Sequence, residues 1–104
     1  MIYVVVTMMR ELLPLMEYQT GQMVQLEEGA DIRSLLKKLA DRYGSKLKEA
    51  LFDENMNIRK GISMYLNGVP FRAVRGLNAK LKNRDSLIVY PAISGDKDTD
   101  LKKT

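Results

Sequence analysis

Apolar side chains fall along this chain in two rhythms. Ile2–Met8 carries β-branched, aromatic and aliphatic residues at almost every position without helical spacing, which predicts a strand. So continuous an apolar run predicts cover on both faces, as at the centre of a sheet. After the Thr20-Gly21 turn signal, Gln22–Leu26 predicts a strand returning antiparallel to the first. Pro14, between the two, opposes a long helix there. The second rhythm begins beyond Glu27-Glu28-Gly29-Ala30. Ile32, Leu35, Leu36, Leu39 and Tyr43 stand at offsets 0, 3, 4, 7 and 11, one stripe on a helix. Arg33, Lys37, Lys38 and Arg42 fall mostly off that stripe. Asp31 is placed to cap the free amides of the first turn, and Gly44 to end the helix in a left-handed conformation.

The second half alternates faster. Leu47, Ala50 and Leu51 predict a short helical turn, residues 53–60 a polar loop and residues 62–66 a strand. Asn67-Gly68 is a hairpin signal, because both residues tolerate positive φ. Residues 69–74 then return, with Pro70 marking an edge strand. Leu77 and Leu81 flank a compact connection to a last apolar strand, Ser86–Tyr90. The order is strand, strand, helix, strand, strand, strand. The first and last strands are the most apolar and are expected side by side, with the leucine stripe packed across one face. This is an α+β, β-grasp arrangement: a mixed sheet of four to five strands with one main crossover helix. It is expected to occupy residues 1–95, with a flexible polar tail over 96–104.

Composition narrows the chemistry. The 104 residues include no His and no Cys. That excludes thiolate nucleophiles, imidazole relays, disulfides and Cys-ligated zinc, and no metal or bound cofactor is expected. A carrier or binding role fits the remaining side chains better than an enzyme. No apolar run approaches the roughly 20 residues that span a bilayer. Residues 1–7 lack a charged leader and a cleavage site, so a cytoplasmic protein is expected. The net charge is +4, and Arg72, Arg75, Lys80, Lys82 and Arg84 fall in a stretch without an acidic residue. That stretch reads as a solvated basic face, as a docking surface for an acidic partner, or as a phosphate-binding patch. Only Phe71 stands near to stack a base, which argues against nucleic acid. Met8, Met9, Met16 and Met23 suit core or hairpin packing. Tyr3 and Tyr65 are sheet-face residues whose side of the sheet is open at this point.

The run Leu81-Lys82-Asn83-Arg84-Asp85-Ser86-Leu87-Ile88-Val89-Tyr90-Pro91-Ala92-Ile93-Ser94-Gly95 resembles the C-terminal signature of the MoaD/ThiS ubiquitin-like sulfur carriers. In these, a charged turn leads into an apolar strand and a Gly-Gly tail. Met9-Arg10-Glu11-Leu12 resembles the stretch after that family's first strand, and Glu28-Gly29-Ala30-Asp31-Ile32-Arg33-Ser34-Leu35-Leu36 resembles its helix start. Leu66-Asn67-Gly68 resembles its hairpin. The match favours MoaD, the small subunit of molybdopterin synthase. The resemblance implies a carrier whose terminal carboxylate is adenylated by a MoeB/ThiF-type enzyme using ATP and converted to a thiocarboxylate. A synthase large subunit then uses the sulfur, in molybdenum or tungsten cofactor synthesis. The acyl site would be Gly95. Tyr90, Pro91, Ala92, Ile93, Ser94 and Gly95, with Arg72 and Arg75, would meet partners.

The sequence departs from that pattern at its end. Gly95 matches the penultimate glycine, but Asp96 stands where the family has the terminal one, and residues 97–104 follow. Asp96 adds a Cβ and a charge to a tail that must thread a narrow catalytic channel. Carrier function therefore implies a processing protease acting near Gly95. The alternative is a β-grasp interaction module that has kept the fold and lost the acyl reaction.

Overall fold

The computed structural model describes residues 1–74 and 76–91. β1 (Ile2–Met8) is followed by two 3-10 turns, Arg10–Leu12 and Pro14–Met16, and by β2 (Gln22–Leu26). α1 (Ile32–Tyr43) and α2 (Ser45–Leu51) come next. β3 (Ser63–Leu66), β4 (Val69–Pro70), two further 3-10 turns and β5 (Ser86–Tyr90) complete the order. The sheet runs β2-β1-β5-β3-β4. β1 and β5 lie parallel at its centre, with Val6 opposite Leu87, and β5 is antiparallel to β3 on its other side. The first and last strands thus meet as their apolar content predicted.

α1 forms where its stripe and caps place it. The Asp31 carboxylate accepts from the Ser34 amide and hydroxyl, each at 2.9 Å. Ile32, Leu35, Leu36 and Leu39 are fully buried against Val4, Val6, Met8, Leu87 and Val89. Gly44 does have a positive φ, 106°, but its ψ of −178° is extended, not left-handed helical. The chain therefore swings directly into α2, which buries Leu47 and Leu51 and is a second helix of seven residues where only a turn was expected.

Two other expectations need correction. β1 is not covered on both faces. Ile2, Val4, Val6 and Met8 are buried, whereas Tyr3 is exposed and Val5 and Thr7 are half-buried. Both helices bury their apolar residues in the single core on the inner face, so the outer side chains of β1 meet no second layer among the described residues. The return strand after Asn67-Gly68 is only two residues long. Pro70 has no amide for a ladder, and Phe71 leaves the sheet in a 3-10 turn, where it is buried. Among the described residues no helix is long and apolar enough to cross a membrane.

Candidate functional site

The last strand is held on three sides. Its ladder partners are β1 and β3, and its entry is fixed by the turn before it. Asp85 accepts from the Lys82 amide at 2.7 Å and from the Asn67 side-chain amide at 2.9 Å. Asn67 in turn accepts from the Ser86 amide at 2.9 Å. It does this at φ 52° in the hairpin, so one residue makes the β3–β4 turn and anchors the start of β5. The Tyr3 amide donates to Asn83 at 2.9 Å, and the Arg84 amide to the Tyr3 carbonyl at 2.7 Å. The strand ends at Tyr90, and Pro91 is buried. The chain leaves the sheet from a strand paired on both sides, at the centre of the sheet.

Beside that exit lies the uncovered face. Register places Tyr3, Val5 and Thr7 of β1 beside Met23 and Gln25 of β2 on one flank. Ser86, Ile88 and Tyr90 of β5 and Ser63 and Tyr65 of β3 follow on the other. None of these ten side chains is charged. Met23 is 57% exposed, Tyr3 44% and Tyr65 36%. Tyr65 and Tyr90 meet edge to face with ring centres 5.9 Å apart. Both tyrosines whose side the sequence leaves open, Tyr3 and Tyr65, therefore belong to this face. The methionines divide: Met8 and Met16 are core, and Met23 is on the open face.

The remaining sequence-derived site residues are less concentrated. Arg72 falls in the 3-10 turn Phe71–Val74. Arg75, Ala92, Ile93, Ser94 and Gly95 lie outside the described residues, as does the whole of 96–104. The acid-free basic run is not acid-free in space. The backbones of Lys80 and Asp31 pair in an isolated antiparallel bridge. Burial alone would raise the Asp31 carboxyl, but the Ser34 hydrogen bonds and the charge of Lys80 outweigh it and hold the group below the usual carboxylate range. Lys82 sits in the Asp85 turn. Lys80 and Lys82 of the basic run thus each have an acidic neighbour in the fold. Among the described residues, no group of three or more carboxylates or other metal-binding side chains is placed to hold an ion.

Arg10 is a residue whose place the sequence did not reveal. It follows β1, has an exposed side chain and a positive φ of 54°, and lines a concavity of about 300 Å³ with Gly61, Ser63, Tyr65, Tyr90 and Pro91. Its position in Met9-Arg10-Glu11-Leu12 was the one available signal.

Sheet order, the parallel central pair and the crossover helix define a ubiquitin-like β-grasp protein. No protein-family model and no curated protein matches the chain. Solved structures do. It is similar to the small archaeal modifier protein 1 of Methanosarcina acetivorans at 28% identity and a TM-score of 0.72, over 91% of this chain and 97% of that one. It is similar to a putative molybdopterin converting factor, subunit 1, of Pyrococcus furiosus at 24% identity and a TM-score of 0.70, over 89% and 100%. A third likeness is to Urm1 of Trypanosoma brucei, at 19% identity and a TM-score of 0.76, over 89% and 94%. The β-grasp fold that the MoaD/ThiS-like motifs imply is the fold this chain shares with these structures, over 89–91% of its length.

Proposed function

We propose that this protein is a ubiquitin-like sulfur carrier of the MoaD type, not itself an enzyme, that acts in the cytoplasm through a C-terminus exposed near Gly95. The observation that carries the reading is the exit of the chain. A central, doubly paired strand delivers Pro91 beside a sheet face of ten uncharged side chains, and the sequence from there is Ala92-Ile93-Ser94-Gly95. A face of this kind is covered by a partner at no cost for stripping water from ionised groups.

Processing after Gly95 would free its carboxylate. A MoeB/ThiF-type enzyme would join that carboxylate to the α-phosphate of ATP and release pyrophosphate. The acyl-adenylate carries a good leaving group, so a sulfide-level donor displaces AMP and leaves a thiocarboxylate. A synthase large subunit would then take the sulfur for the dithiolene of the molybdenum or tungsten cofactor. That last step is supported by the likeness to the molybdopterin converting factor subunit and by the MoaD-like motifs.

Intact-mass spectrometry tests this in a lysate of the source organism supplied with ATP and a sulfur donor. Loss of residues 96–104, followed by the mass gain of one oxygen replaced by sulfur, is the expected result. A chain that stays full length and inert overturns the carrier reading. That outcome favours a β-grasp interaction module without acyl chemistry, to which Asp96 in the terminal-glycine position already gives specific support.

A further inference from the structure

Arg10 places a cation at the rim of the uncharged face. Arg10 stands where β1 has ended, and it shares a concavity with Ser63, Tyr65 and Tyr90 at the point where the chain leaves the sheet. Its guanidinium makes no hydrogen bond or ion pair among the described residues, nor do the hydroxyl groups of Ser63, Tyr65 and Tyr90 make a hydrogen bond there. Four residues with polar side chains thus line one concavity, and none of those side chains makes a hydrogen bond among the described residues. The backbone of Arg10 is held in the left-handed region at φ 54°, which is unfavourable for a residue with a Cβ. No side-chain bond among the described residues offsets it.

Covering the face changes the environment of this group. In the free protein, water solvates the guanidinium. Under a docked partner it loses that water, and a buried cation without a counter-charge is strongly disfavoured. A guanidinium fork matches the two oxygens of a carboxylate, and Ser63, Tyr65 and Tyr90 bring hydroxyl-bearing side chains to the same concavity. We infer that the Arg10–Ser63–Tyr65–Tyr90 concavity is a recognition pocket for an Asp or Glu side chain of the adenylating enzyme, docked on the sheet. Arg10 would then fix the partner's register beside the tail, while the apolar face supplies contact area. This rests on the carrier reading for the identity of the partner.

The test is calorimetric titration of the full chain with the source organism's adenylating enzyme, at low and at high salt. Arg10→Ala is expected to weaken binding at least about tenfold at low salt, as truncation of a desolvated charge pair does. The difference should shrink at high salt, Arg10→Lys should fall between, and Arg10→Glu should be restored by reversing one acidic residue of the enzyme. Ile88→Asp, in the middle of the face, should abolish binding whatever Arg10 does. Tyr90→Phe leaves the Arg10 backbone untouched and should weaken binding by about threefold, the worth of one hydroxyl donor. It serves if Arg10 variants do not fold. If Ile88→Asp abolishes binding while Arg10→Ala and Tyr90→Phe stay within twofold of wild type, the pocket is overturned and the carrier reading stands. If the wild-type chain neither binds the enzyme nor gains sulfur, both fall.

Discussion

Asp85 is a surface carboxylate with two structural bonds, and its replacement by alanine measures how firmly the last strand is anchored. The substitution removes the acceptor for the Lys82 amide and for the Asn67 side chain. Hydrogen bonds to a charged group contribute about 1.5–3 kcal/mol each when shielded, and less when water can replace them. Both donors here are exposed and would be rehydrated, so the expected total loss is about 1–2 kcal/mol. For a domain of this size that lowers Tm by roughly 5–15 °C. Urea denaturation should show the same loss at an unchanged m-value. Asn67→Ala shares one of the two bonds and also frees the Ser86 amide. The double variant should therefore lose less than the sum of the single losses, by about 0.5–1.5 kcal/mol. Hydrogen exchange should quicken at Ser86 before it does at the amides of α1. Additive losses, or an Asp85→Ala change below about 0.3 kcal/mol, would refute the view that this side-chain pair anchors the strand.

Asp31→Ala removes the cap of α1 and should cost about 1 kcal/mol near neutral pH. The folded-state pKa of Asp31 is depressed, so its contribution is complete above the ordinary carboxylate value, about 3.9, and is lost as pH falls through the lowered one. Urea titrations of variant and wild type should therefore converge on acidification, and a gap that widens in acid contradicts the assignment. Leu36→Ala empties a fully buried site under the sheet and should cost about 2–5 kcal/mol in the same assay. Gly44→Ala meets no atom within 4 Å, yet φ 106° with ψ −178° is a region almost closed to residues with a Cβ. It should cost about 1–3 kcal/mol, and a neutral result in thermal unfolding would show that the link between the helices relaxes freely.

The parts of this fold that are legible in the sequence are those set by local rules. The helical stripe from Ile32 to Tyr43, its Asp31 cap and the Asn67-Gly68 turn each depend on neighbours a few residues away. The central pairing of β1 with β5 is non-local, but it follows from apolar content, because the least polar strands need the most cover. What the sequence hides depends on layers. Val5 and Thr7 would suit a covered face as well as an open one, and only the placement of both helices on one side decides it. Lys80 looks like part of a basic run until folding sets it beside Asp31, far away along the chain. The residues of the candidate exit, Tyr90 and Pro91, were read from a motif, whereas Arg10 gained its meaning only when β1 was laid alongside β5.

These observations separate two tasks that enzymes usually combine. The described residues build a rigid platform, and their side chains are spent on packing, turns and an uncharged surface. An open face with Met23, Tyr3 and Tyr65 exposed is a liability for a free protein, since such patches promote unwanted association. Charge at its rim limits that risk, because a partner without a matching anion must bury Arg10 unpaired. Under the proposed carrier role, the absence of His and Cys removes nothing that the chain itself needs. A carrier's reactive atom sits on a backbone carboxylate, and the activating groups belong to the enzyme that binds it. What such a carrier must contribute is position: a strand that cannot slip and a face that orients the partner. The Asp85–Asn67 anchor fixes the start of β5, and the outer side chains of β1, β5 and β3 form the uncharged face on which the proposed partner would dock.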